Sequence, residues 1–449
     1  MVHVLPVMPR ERQPELDGLR GLAAVAVMFD HFGIAQRLYG FPFGLLGVRL
    51  MFVLFGYFLV RQLARAAENP RKNRELARFY FKRIPRLAAV VLAAIGIGLC
   101  LNLDGARAGW FWHLIFGTNY LLARTGDWAG AYSHFWSLSV QVQFLLVAPL
   151  GLIFLSPRHR CWALLGLLVI GPAYRIACFA HGTDAMARWF LLPSSLDTFA
   201  LGGLLAEFEK SGGLARLKNP RFLGAWCLVA LTAQGITLYW YRAGAGHFAI
   251  SWVEFLGAVF LTGVLGIVRS RVLARWLTPT LGCAAFAALG SASYSLYAFH
   301  PLVACAFSHF TPGLLASAPL AKALMLLVPT SIIVALLGYR FLEVPAQRAA
   351  HWILENRPAF PAWSWRWRMP FNPAYAAVCV LTFFCVFIPS PHTQLLEIPA
   401  VSVETAEVFV PEVEISGPEG FPASEPAPDD SSMTPSSSEP EPAESEDAP

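Results

Sequence analysis

Two basic side chains stand in or beside the first long apolar run of this chain, Arg20 and His31 within ELDGLRGLAAVAVMFDHF, residues 15–32. A guanidinium at the centre of a bilayer segment costs on the order of 3 kcal/mol. Eleven residues at about 100° each give three turns plus about 20°. Arg20 and His31 therefore share one stripe of a helix, about 16 Å apart along its axis. Asp30 points about 100° away from His31 and is not an automatic partner. Ionisable groups on one face of a membrane helix mark a functional site by default, and histidine is the side chain that exchanges protons near neutral pH. Snorkelling of Arg20 and end-capping by His31 also fit, and this stretch alone leaves both readings open.

Further candidates lie along the chain. Arg83 and Arg86 are three apart and share a helix face, a spacing that suits phosphate binding as well as membrane anchoring. In FWSLSVQVQF, residues 135–144, Trp136, Ser137 and Gln141 are candidates for lining a cavity. In SYSLYAFHP, residues 293–301, Tyr294 and His300 are candidates too. His300 suits either a cavity wall or a bond to a neighbouring carbonyl, and Pro301 directly after it predicts a kink. Glu343 follows Arg340 at a helix end and reads as a structural ion pair. His113, His134 and His247 fall between apolar runs and read as surface groups. There is no metal-ligand spacing, P-loop or G-x-S-x-G elbow.

The elements that must position these residues are membrane helices. Only 14% of the 449 residues are charged and 56% are hydrophobic, whereas soluble domains carry about 25% charged residues. Barrel-type alternation is absent, so helices do the spanning. The expected fold is all-α, a polytopic bundle of about ten to eleven spans. They are placed near 17–36, 43–62, 87–103, 137–155, 161–180, 190–208, 222–241, 251–268, 282–308, 318–340 and 374–389. Trp110–Leu122 is apolar but short, and reads as interfacial or re-entrant. Basic residues alternate from loop to loop and predict a cytoplasmic N-terminus with an extracytoplasmic tail in a cell membrane. No Lys or Arg follows Arg368. The tail is rich in Pro, Ser and Glu and predicts disorder. No cleavable signal peptide is apparent. The eight cysteines are scattered through apolar stretches and read as small hydrophobes. The expected organisation is an N-terminal segment 1–14, a membrane domain 15–350, a linker with a last span 351–390, and a tail 391–449.

Five motifs in order resemble the acyltransferase-3 family of integral membrane acyltransferases. They are LDGLRG at 16–21 followed by His31, FYFKRIPR at 79–86, FWSLSVQVQF at 135–144, SYSLYAFHP at 293–301 and RFLEVP at 340–345. The resemblance covers roughly residues 14–348. It implies transfer of an acyl group from acyl-CoA to a hydroxyl of a glycan or small metabolite. His31 would be the base, Arg20 would orient it or hold an anionic part of the donor, and Arg83 and Arg86 would bind the donor. No bound cofactor or metal and no nucleic acid is implied. Two departures stand out. Gln141 and Val142 replace a carboxylate pair usual after Ser139, and Phe55 replaces a usual Ser. A transporter or flippase for a lipid-linked glycan, and a catalytically impaired family member, are the alternative readings.

Overall fold

The computed structural model describes residues 13–39, 43–242, 247–311, 314 and 319–356. Among the described residues every regular element is a helix. Helix α1 (Pro14–His31) begins with Pro at its first position and carries Glu15 and Asp17 in its first turn, where the helix dipole favours acids. It ends where Gly33 adopts a positive φ of 66°. Next come α2 (Phe43–Ala66), α3 (Lys72–Cys100), α4 (Phe135–Leu152) and α5 (Pro157–Ala180). Ser156 caps α5 by accepting the His159 N–H at 3.4 Å. They are followed by α6 (Leu196–Lys210), α7 (Pro220–Arg242), α8 (His247–Ser270), α9 (Ala284–Ser291) and α10 (Ser293–Phe310). The last described helices are α11 (Val328–Gly338) and α12 (Val344–Asn356), with wider π turns at 323–327 and 339–343 on either side of α11.

Among the described residues, seven helices are long and apolar enough to cross a membrane: α2, α3, α4, α5, α7, α8 and the run Leu320–Asn356. The other expected spans differ for physical reasons. Helix α1 carries Glu15, Asp17, Arg20 and Asp30, which lower its mean hydropathy. Helix α6 has only 15 residues. The expected span at 282–308 is broken at Ala292 into α9 and α10. Pro301 lies inside α10 without ending it. The stretch Trp110–Leu122 forms parts of two short helices, Ala106–Leu114 and Thr118–Thr125, joined through Phe116 at φ 55°. The expected span at 374–389 and the tail lie outside the described residues.

Close backbone approach draws the bundle together. A Cβ on Gly56 of α2 would lie 2.1 Å from the Phe199 carbonyl oxygen of α6, and one on Gly202 of α6 would lie 2.0 Å from the Val53 oxygen of α2. Only glycine permits this contact, as in other small-residue membrane interfaces. Helix α1 packs against α2, α9 and α10. Buried charges are paired, as a low-dielectric interior requires. Arg49 of α2 pairs with Glu254 of α8 and donates to Ser195 Oγ at 3.0 Å. Arg160 and Arg175 of α5 pair with Glu207 and Asp197 of α6 at 2.5 and 2.7 Å.

Candidate active site

Helix α1 runs through the site and carries both of its basic layers. At its end, His31 Nδ1 lies 2.8 Å from His300 Nε2 of α10. The ring planes are 17° apart with centroids 5.0 Å apart. A third imidazole joins them: the His134 ring centroid is 5.4 Å from that of His300 and 6.2 Å from that of His31. His134 sits immediately before α4, and its Nε2 donates to the Ala298 carbonyl of α10 at 3.3 Å. Its own carbonyl accepts from Ser137 Oγ at 3.1 Å and from the Tyr297 hydroxyl at 3.3 Å. Among the described residues no group of His, Cys, Asp and Glu has a metal-holding arrangement.

The second layer is cationic. Arg20 lies three turns before His31, and its guanidinium is 3.9 Å from Asp17. Arg20 and Arg86 are both electrostatic neighbours of Arg83. Arg83 is half-buried over the Phe79 ring, 4.1 Å from its centroid, and its Nη1 is buried with no hydrogen-bond partner among the described residues. An orphaned buried guanidinium nitrogen is expensive, and an anionic group would satisfy it. Arg86 is differently occupied: its Nε donates to Glu343 at 2.5 Å. Glu343 is fully buried and also accepts from the Ser295 N–H and Oγ–H at 3.1 and 2.6 Å. Glu343 thus pairs with Arg86 and ties the start of α10 to α3. Tyr294 lies beside Glu343 and Arg86 and donates to the Leu87 carbonyl at 3.2 Å.

The other three expected cavity residues lie on α4. Ser137 is fully buried and shares its hydroxyl with Tyr297 at 2.5 Å. Trp136 packs into an aromatic group with Phe190 and Phe52. Among the described residues, Gln141 has no hydrogen bond to the histidines, and its Nε2 is buried without a partner. Conversely, His134 and His113 are not surface groups: they are 3% and 1% exposed. His113 bonds Thr118 Oγ1 at 2.9 Å and lies face to face with Tyr132. The side chain of His247 lies outside the described residues. His134 was missed because a loop residue carries no periodicity. Its one signal was its place directly before the FWSLS motif.

This chain is thus a membrane helical protein with a histidine group and an arginine group joined by one helix. The family model described as Acyltransferase domain matches residues 13–391, and the chain belongs to the acyltransferase-3 family. It is 25% identical over 369 residues to the peptidoglycan O-acetyltransferase OatA of Listeria monocytogenes, covering 76% of this chain and 56% of that protein. It is also 25% identical to the O-acetyltransferase OatA of Staphylococcus aureus, covering 75% of this chain and 57% of that protein. A putative membrane-bound transacylase of Komagataeibacter xylinus, BcsY, is 29% identical over 65% of this chain and 73% of that protein. The chain spans a little over half the length of the OatA proteins. No solved structure matches.

Proposed function

We propose that this protein transfers an acyl group, such as acetyl, from acyl-CoA to a hydroxyl of a cell-surface glycan. The observation that carries this reading is the pair of layers on α1. Arg20 and Arg86 are electrostatic neighbours of Arg83, and about 16 Å further along the helix His31 meets His300. Acyl-CoA is anionic at one end and reactive at the other, and its extended pantetheine arm is long enough to join the layers. The orphaned Arg83 Nη1 suits a donor phosphate. His31 takes the proton from the acceptor hydroxyl as its oxygen attacks the thioester carbonyl, and returns it to the departing thiolate. The basic loops predict that the arginine layer faces the cytoplasm, where acyl-CoA is made. The glycan acceptor is inferred from the OatA relatives, whose names specify O-acetyl transfer and, in Listeria, peptidoglycan.

The test uses the full chain in lipid nanodiscs with acetyl-CoA and a peptidoglycan-derived oligosaccharide. Release of free thiol that depends on the oligosaccharide, with an ester on the recovered glycan, is the expected result. No thiol release with any glycan, alongside glycan flux in vesicles, would replace this reading with a transporter.

A further inference from the structure

The contacts of His300 determine which nitrogen of His31 is free to act. A carbonyl oxygen can only accept, so the 2.9 Å contact of His300 Nδ1 with the Leu296 carbonyl places a proton on Nδ1. A neutral imidazole has a single N–H, so His300 Nε2 carries a lone pair. That lone pair faces His31 Nδ1 at 2.8 Å. His31 must therefore supply the proton at Nδ1, and its Nε2 is left bare. The ring geometry agrees: planes 17° apart and centroids 5.0 Å apart suit an edge-to-edge N–H···N bond. His300 is fully buried, so water does not compete for Nδ1. His134 does not compete either, because its Nε2 proton goes to the Ala298 carbonyl.

We infer that His300 is the positioning residue of His31: it holds the imidazole in the tautomer with a bare Nε2 and shares the proton that arrives there. This rests on the acyl-transfer reading above. As the acceptor oxygen forms its bond to the thioester carbon, its proton goes to His31 Nε2. The Nδ1 proton of the resulting imidazolium shifts toward His300 Nε2, spreading the charge over two rings, with His300 Nδ1–H still on the Leu296 carbonyl. When the carbon–sulfur bond breaks, the thiolate takes the proton back from His31 Nε2, and both rings return to their neutral forms. Histidine here fills the place that a carboxylate fills in the serine-hydrolase triad.

The test compares wild type with His300→Gln and His300→Leu. Gln keeps an acceptor for His31 Nδ1–H, and Leu does not. Nitrogen-15 magnetic resonance of histidine-labelled protein in bilayers reads the tautomer directly, with His31→Gln assigning the signal. Wild type and His300→Gln should show His31 protonated at Nδ1 and bare at Nε2, while His300→Leu should populate the other tautomer. In the acyl-transfer assay His300→Leu should lose on the order of 10²–10³-fold in kcat with donor and acceptor KM within about threefold, and His300→Gln should recover most of that loss. A proton on His31 Nε2 in wild type, or an unchanged tautomer and kcat in His300→Leu, overturns the inference. If His300→Leu does not fold, the wild-type spectrum and His300→Gln decide it. Because the spectrum needs no turnover, a protein without transferase activity refutes the acyl-transfer reading while the tautomer is scored separately.

Discussion

The Arg86–Glu343 pair has two unequal ends, and the inequality makes a quantitative prediction. Glu343 is fully buried, whereas the Arg86 side chain is 25% exposed. Glu343→Gln keeps an acceptor for the Ser295 N–H and Oγ–H and leaves a guanidinium that can reach water. It loses a charge-assisted bond, about 2 kcal/mol. Arg86→Gln instead strands a buried carboxylate, and removing one partner of a buried pair costs about 3–5 kcal/mol. The double variant relieves that stranded charge. Its loss should lie close to that of Glu343→Gln alone, giving a coupling energy of about 3–5 kcal/mol in magnitude, the whole cost of stranding the carboxylate. Uncharged interhelical bonds in membranes average only about 0.6 kcal/mol, so this coupling would stand clear of ordinary packing. Reversible unfolding in mixed dodecyl sulfate micelles, followed by tryptophan fluorescence, measures all four proteins. Equal losses from both single variants, with coupling below about 0.5 kcal/mol, would refute the view that this pair holds α10 against α3. The same proteins separate two roles of Arg86. If its remaining nitrogens also contact the donor, Arg86→Gln raises the acyl-CoA KM beyond the value for Glu343→Gln.

Further outcomes follow from the same geometry. His31→Gln should lower acyl transfer by about 10²–10⁴-fold, measured as acceptor-dependent thiol release, while its unfolding curve stays close to wild type. Arg83→Gln should raise the acyl-CoA KM by about tenfold or more, the equivalent of a lost charge-assisted bond, with a smaller effect on the acceptor KM. Gly56→Val and Gly202→Val should each destabilise the bundle strongly, since a Cβ there would sit about 2 Å from a backbone oxygen across the interface. Gly96→Ala, where among the described residues no atom beyond its own stretch of helix lies within 4 Å of the added carbon, should be close to neutral in the same unfolding assay.

What could be read from the chain depended on distance along it. The Arg20–His31 stripe was legible because helix periodicity fixes relations within one element. The pairing of Glu343 with Arg86 was not, because 257 residues separate them and Arg340 stood closer in sequence. Arg49 and Arg175 likewise find their partners, Glu254 and Asp197, only through packing. Spans such as α2, α5 and α8 announced themselves by hydropathy. Helices α1, α6 and α10 did so less clearly, because the polar residues that make them useful dilute that signal. The break at Ala292 left no Pro or Gly pair to mark it, and it separates α9 from α10, which carries both Tyr294 and His300.

The replacement of the usual carboxylates by Gln141 and Val142 raises the question of what orients the base. Val142 is buried at 7% exposure and its side chain offers no polar atom, and among the described residues Gln141 does not bond the histidines. An unoriented imidazole in an apolar site would divide between two tautomers and be competent in only one of them. Here α10 supplies an orienting lone pair from His300, and Leu296 on the preceding turn fixes which nitrogen carries it. A neutral partner also suits this location. A second carboxylate beside His31 would need its own hydration or a paired cation, and the cations lie about three turns away at Arg20. A histidine partner orients the base without a standing charge and accepts charge only while the reaction generates it. On the inference drawn above, the orientation of the base comes from His300 and needs no carboxylate at positions 141 and 142.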